Sequence, residues 1–399
     1  MRITTDDTRE TFPYLSMQEE KPNLWSIFRE SLSHDITKIE IPCKKHESCQ
    51  FIHIFLLVKL NEPLSLLQRV AESFQERELL DRADLEENPQ MILALIMSFV
   101  VASYSASWKR LKKPFDPVLG ETYEYSDEKD NFRLIAEQVN LKTMALFAEN
   151  AHFEATFTID LKADYWGKAV EFRMLGKNQI ILKRSKQVFI FNRPITSVNN
   201  ILTEKFWLDH IGTISLRNQS TGETAVLEFP TRRSPDTELC TLKGTIMDAE
   251  KKVVAHLEGN WMKSLSVISL ETKIKKIVWS LDENQEVLRG WTNYTVQLNH
   301  INVKILQSMP PTDSRLRADI RALEKGNVDL ALYERKRIEE QIKKKTLKYS
   351  HGAGATKLKP LWFELVVPEG ESDPTAAFYQ FNKKYWEEKT FPKYYEDQN

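Results

Sequence analysis

The chain is 399 residues long, and its 56 Lys and Arg against 57 Asp and Glu leave a net charge of −1, without the strong basic excess of a general nucleic-acid binder. Hydrophobic residues at 41% and aromatics at 10% suffice for a packed core and exclude wholesale disorder. Three cysteines, Cys43, Cys49 and Cys240, are too few for a disulfide framework and fit a reducing compartment.

Residues 1–22 are polar, contain Pro13 and Pro22, and read as a flexible lead-in. Leu24, Trp25, Ile27, Phe28 and Leu32 then recur at helical spacing, a short amphipathic helix. A second helical stretch is predicted over 62–80, with Leu66, Leu67, Val70 and Phe74 on one side. A third opens with Asn88 as N-cap and Pro89 at its first position. It is apolar nearly all round to Val101, which predicts burial. Neither this run nor 51–60, broken by His53 and Lys59, reaches the roughly 20 apolar residues of a spanning helix. Residues 1–10 hold no apolar signal core.

After Pro114 the period becomes two. Phe153, Ala155, Phe157, Ile159 and Leu161 alternate with polar neighbours, a half-buried strand. Further strands are predicted at 170–174, 179–191, 213–217, 224–229, 243–248, 253–261 and 291–298, with turns at Gly176, Gly222 and Asp248. Closely spaced antiparallel strands suggest a sandwich or barrel. Beyond Thr312 the pattern returns to helix, strongly charged over 327–348.

No dinucleotide fingerprint, P-loop, H-E-x-x-H or nucleophile elbow is present. Cys43, His46, Cys49 and His53 lack the usual zinc spacing. Glu339 and Glu340 stand among basic residues and read as a salt-bridged helix face. No catalytic residue, metal or cofactor is predicted.

The stretch Lys113-Pro-Phe-Asp-Pro-Val-Leu-Gly-Glu-Thr-Tyr-Glu124 joins helix to strands through two prolines and Gly120. It resembles the K-P-[FL]-N-P-x-L-G-E-x-Y motif of the oxysterol-binding protein family. The likeness extends in order through Phe132-Arg-Leu-Ile-Ala-Glu-Gln-Val139, Tyr165-Trp-Gly-Lys-Ala-Val170, Lys243-Gly-Thr-Ile-Met-Asp248, Pro311-Thr-Asp-Ser-Arg-Leu-Arg-Ala-Asp-Ile-Arg321 and Lys383-Lys-Tyr-Trp-Glu-Glu-Lys389. It covers about residues 23–395.

The resemblance implies an α+β fold: a large incomplete antiparallel β-barrel around an apolar lipid tunnel, with an N-terminal lid, flanking helices and C-terminal helices. The lipid-binding domain would span 23–399. Its lid is expected at about 23–42, through Leu24, Trp25, Ile27, Ile36 and Ile39, and an atypical insertion at about 43–60. No further domain precedes residue 23, so a short form is expected. The implied function is extraction of one lipid, a sterol or a phospholipid such as phosphatidylinositol 4-phosphate or phosphatidylserine, and its carriage between membranes. The implied partners are those lipids and membrane surfaces touched peripherally, from the cytosol, with no nucleic acid and no enzymatic step. The alternative is a non-transferring sensor or scaffold with a degenerate headgroup site.

The resemblance also implies a headgroup site of Lys113, Asp116, Arg335, Glu339 and Lys343. Arg335, Glu339 and Lys343 share one face of a helix by their i+4 spacing. Two departures stand out. The family's N-P is Asp116-Pro here, a like charge facing an anion. The paired histidines that follow the family's E-Q-V are replaced by Asn140-Leu-Lys-Thr, which leaves Lys142 as a cation there. Losing two charged hydrogen bonds would weaken a phosphate by roughly 3–6 kcal/mol.

Overall fold

The computed structural model describes residues 9–16, 58, 61–105, 109–110, 112–200, 207–231, 240–350 (side chains to 342), 359–367 and 377–388. The expected lid residues Leu24, Trp25, Ile27, Ile36 and Ile39, the cysteine and histidine grouping, and the 43–60 insertion apart from Val58 lie outside these.

The helical opening comprises α1 (Pro13–Ser16), β1 (Asn61–Ser65), α2 (Leu66–Ala71), a 3-10 turn (Glu72–Glu76), α3 (Glu78–Leu85) and α4 (Pro89–Ala102). The predicted helix over 62–80 therefore starts as a strand. Pro63 lacks a donor and biases Glu62 towards extended backbone. Ser65 then opens α2 with a capping box, its hydroxyl accepting from Leu67 N–H while Gln68 Oε1 accepts from Ser65 N–H at 2.8 Å. Asn88 caps α4 as expected, accepting from Gln90 N–H at 2.9 Å, and every residue from Ile92 to Ala102 is buried.

The lead-in reading fails for residues 9–16. Phe12, Tyr14 and Leu15 are buried, Arg9 pairs with Glu324 at 2.6 Å, and Tyr14 donates to the Asn61 carbonyl at 3.2 Å. Three large apolar side chains in an otherwise polar segment are enough to dock it.

The strands follow as β2 (Lys113–Phe115), β3 (Thr122–Asp127), β4 (Phe132–Gln138), β5 (Thr143–Glu149), β6 (Phe153–Tyr165), β7 (Ala169–Leu175), β8 (Asn178–Leu182), β9 (Val188–Phe191), β10 (Ile195–Asn199), β11 (Trp207–Asn218), β12 (Thr224–Phe229), β13 (Thr241–Met247), β14 (Val253–Asn260), β15 (Ser264–Ser269) and β16 (Lys275–Ser280). Short β17 (Glu286–Leu288) and β18 (Trp291–Thr292) precede α5 (Asn293–Gln297), α6 (Val303–Ser308), α7 (Ala318–Glu324) and α8 (Val328–Ser350). The chain continues through β19 (Phe363–Val366), β20 (Phe378–Phe381) and α9 (Tyr385–Glu388). The strand expected over 291–298 survives only as β18. Thr292 Oγ1 accepts from Thr295 N–H at 3.1 Å and caps a helix there instead.

Among the described residues, fourteen strands form one antiparallel sheet running from β16 in descending order to β10, then β7 to β3. β6 and β11 each fork, because β8 pairs with β6 and β9, and β9 also pairs with β11. The end strands β3 and β16 do not pair with each other, so the barrel is incomplete. Its curl shows in what the strands touch. Phe74 packs its ring at 5.5–6.2 Å from Phe132, Phe153 and Phe157 of β4 and β6, and at 5.5 Å from Phe99 of α4. α4 in turn packs on β11, β12, β14, β15 and β16. Strands near both ends of the path thus close on one helical plug. None of the described helices is long and apolar enough to cross a membrane.

A second, smaller core lies on the other face of β4 and β5, where Ile135, Val139, Ala145 and Phe147 meet Trp362, Phe363, Phe381 and Tyr385. Both strands are therefore buried on both faces, and such strands read as near-continuous apolar runs without alternation.

Candidate functional site

The connector between β2 and β3 is held from four sides. β2 pairs in parallel with β1, Asn61 opposite Lys113 and Ser65 opposite Phe115. Gly120, at φ 81°, donates to the Gln138 carbonyl at 3.0 Å, and Gln138 N–H donates to the Glu121 carbonyl at 2.8 Å. A non-glycine residue would be strained at this φ. Glu121, 1% exposed, collects hydroxyl protons from Ser65 and Ser314 at 2.6 Å each, Val118 N–H at 2.8 Å and Arg317 at 2.9 Å. Thr122 N–H donates to the Thr312 carbonyl at 2.9 Å. The Pro311–Arg321 stretch is thus the clamp that fixes the connector.

Upon this frame the structure brings four of the five sequence-predicted residues together. Lys113 Nζ lies 3.1 Å from Asp116 Oδ2. Arg335, on α8, reaches Asp116 Oδ2 at 3.9 Å, donates to the Asp116 carbonyl at 3.3 Å, and holds Glu339 at 2.8 Å. The i+4 geometry of Arg335 and Glu339 is as expected; Lys343 lies on the same helix, its side chain outside the described residues.

Three participants were not singled out from the sequence: Glu121, which binds Arg317 at 2.9 Å, and the pair Arg317 and Asp319. Arg317 donates to the Asp116 carbonyl at 2.9 Å and binds Asp319 at 2.6 Å, and Asp319 also lies 3.8 Å from Arg335. Both stand inside the 311–321 stretch that carried the resemblance, and their alternate spacing was the available signal. Among the described residues the cluster therefore holds three cations, Lys113, Arg317 and Arg335, against four carboxylates, Asp116, Glu121, Asp319 and Glu339. Crowding by the protein pushes the Asp116 carboxyl up, but Lys113, Arg335 and Arg317 outweigh it and hold its pKa below the ordinary value. Asp116 remains charged, with its side chain half exposed.

In place of the paired histidines stands a tight β4–β5 hairpin. Asn140 Oδ1 accepts from Lys142 and Thr143 N–H at 2.9 Å each, which turns Leu141 outward at 68% exposure. Just before it, Glu137 is 1% exposed and accepts the N–H groups of Leu361 and Trp362 at 2.8 and 3.0 Å. Burial raises its pKa to about 7, with the two N–H groups opposing that rise.

Comparisons with known proteins agree on one family. The family whose sequence model matches is described as Oxysterol-binding protein, over residues 23–390. Oxysterol-binding protein-related protein 6 of Mus musculus is 31% identical over 372 residues, covering 92% of this chain and 36% of the relative. Human oxysterol-binding protein-related protein 2 is 28% identical over 370 residues, 80% of this chain and 74% of its own length. The chain spans little more than a third of the first of these. Among solved structures, the Osh1 ORD domain in complex with cholesterol superposes with a TM-score of 0.80 at 26% identity, covering 98% of this chain and 93% of that one. The Osh3 ORD in complex with PI(4)P from Saccharomyces cerevisiae gives 0.74 at 26% identity, covering 96% of each. The chain belongs to the oxysterol-binding protein family.

Proposed function

We propose that this chain binds one membrane lipid, a sterol or a phospholipid, inside the barrel and carries it between membranes as a peripheral protein of the cytosol. In this reading it is a carrier with no catalytic step. The observation that carries the reading is the incomplete barrel around an apolar plug, matched over nearly its whole length by a domain solved with cholesterol. The need for such a container is physical: each CH₂ moved from hydrocarbon to water costs about 0.8 kcal/mol. Residues 23–42 would be the lid, with Leu24, Trp25, Ile27, Ile36 and Ile39 as its apolar residues, and 43–60 an atypical insertion that follows it in the sequence. Lys113, Arg335, Lys343 and Glu339 would face the headgroup, with Asp116 tuning which one is admitted.

Native mass spectrometry of the purified chain is expected to show one sterol or phospholipid per polypeptide, and liposome-to-liposome transfer to depend on the protein. A delipidated chain that takes up neither class would end this reading. The Lys113–Asp116 pair favours a second one, a lipid sensor or scaffold that does not transfer, in which uptake persists but transfer does not.

A further inference from the structure

The β6–β7 hairpin ends in an aromatic tip that the headgroup site does not use. Trp166 is 64% exposed and Tyr165 39%. β6 pairs with β5 only as far as Asp160 opposite Thr143 and then runs on with β7 to Tyr165 opposite Val170. At about 3.4 Å per residue the tip stands about 17 Å beyond the end of β5.

The turn itself is well defined. Trp166 N–H donates to the Ala169 carbonyl at 2.9 Å, Lys168 N–H to the Trp166 carbonyl at 2.8 Å, and the Tyr165 hydroxyl to the Gly167 carbonyl. Gly167 adopts φ 74° with nothing within 4 Å of where a Cβ would stand. The indole is held out on a hydrogen-bonded turn, which lowers the entropy lost when it docks.

The arm ends at the same end of the sheet as the candidate headgroup site and is not free-standing, because β10 pairs with β7 as far as Asn199 opposite Ala169. The connector bearing Asp116 bonds to Gln138 at the end of β4, and Leu161 of β6 donates to the Lys142 carbonyl of the neighbouring β4–β5 turn at 3.3 Å. That turn adds Leu141, 68% exposed.

Charge on the arm is nearly balanced. Asp164 lies 3.3 Å from Lys162 and 3.2 Å from Arg173, and Arg173 also holds Glu171 at 2.9 Å. The exposed Lys168 at the turn makes the arm one cation in excess.

A tryptophan and a tyrosine together, flanked by a lysine, are the residues that settle at the headgroup level of a bilayer, apolar ring inward and polar edge in water. We propose that the Tyr165–Lys168 tip is a bilayer anchor that seats the headgroup-site end of the barrel on a membrane, with Trp166 inserted at the interface and Lys168 adding attraction to anionic lipid. The proposal rests on the carrier reading for its purpose but not for its test.

The test uses the full chain and vesicles of phosphatidylcholine, alone and with phosphatidylserine. Trp166→Ala is expected to weaken sedimentation with both vesicle types about ten-fold, and Trp166→Phe to weaken it less. Lys168→Ala should weaken it only with phosphatidylserine. The emission difference between wild type and Trp166→Phe isolates one indole and should be quenched by brominated lipid. Unchanged sedimentation of Trp166→Ala would overturn the proposal, as would a difference signal indifferent to brominated lipid. Sterol uptake from cyclodextrin needs no docking and should be unaltered in Trp166→Ala. A wild type that takes up neither sterol nor phospholipid would sink the carrier reading while leaving the anchor standing.

Discussion

Lys113 and Asp116 form an ion pair, Nζ to Oδ2 at 3.1 Å, within one connector, and Asp116 Oδ2 also lies 3.9 Å from Arg335. Asp116 thereby stands between the two cations proposed above for an anionic headgroup. Their charge is spent internally before any ligand arrives.

Asp116→Asn removes that internal anion while keeping the side chain's size. Affinity for vesicles carrying phosphatidylinositol 4-phosphate is expected to rise about ten-fold, a change equal to ~1.4 kcal/mol, and sterol uptake to stay as it is. Titration of both lipids against wild type and variant measures this. A variant with unchanged phosphoinositide affinity would mean that Asp116 does not restrain the site.

Glu137 predicts the pH dependence of stability. Its folded pKa of about 7 exceeds the ordinary 4.5, so the native state binds this proton more tightly than the unfolded one. The group contributes no difference at low pH, where both states are protonated. It lowers stability progressively as pH rises from about 4.5 to about 7, by about 3 kcal/mol in full. Glu137→Gln should flatten that part of the curve, although it leaves one of the two N–H groups poorly matched. Urea unfolding across this range reads the slope, and an equal slope in both proteins would contradict the assignment.

Phe74 joins the plug to β4 and β6 and is fully buried. Phe74→Ala should cost about 3–5 kcal/mol. The loss is measurable by denaturant titration, and a loss below about 1 kcal/mol would show that the strands close without it.

At Gly244 a Cβ would stand 2.2 Å from the Val226 carbonyl oxygen of β12 and 2.9 Å from the Leu227 side chain. Gly244→Ala forces two adjacent strands apart and should cost about 1–3 kcal/mol. Thermal unfolding checks it; an unchanged midpoint would mean that β13 can shift freely.

Legibility followed local physics. Asn88 and Pro89 announced α4, and the alternation from Phe153 to Leu161 announced β6, because capping and one-sided burial leave a mark every few residues. β4 and β5 left none. Trp362, Phe363 and Phe381 cover their second face from more than 200 residues away, and two-sided burial erases the period of two. The packing of Phe12 and Tyr14 was hidden for a similar reason, since their partner Trp291 is remote in the chain.

For the candidate site, residue types and spacing on α8 sufficed to place Arg335 and Glu339 on one helix face. That Arg335 and Arg317 converge on Asp116, and that Asp319 joins them, depended on bringing the connector, the clamp and α8 within 4 Å of one another. The sequence by itself determined a neutral chain with barrel strands, a buried helix and a family motif, all set by neighbours in the chain. Only the tertiary structure decided how the charges balance and which end of the barrel carries the Trp166 tip. Electrostatic pairing and exposure depend on distance through space, which no local pattern encodes.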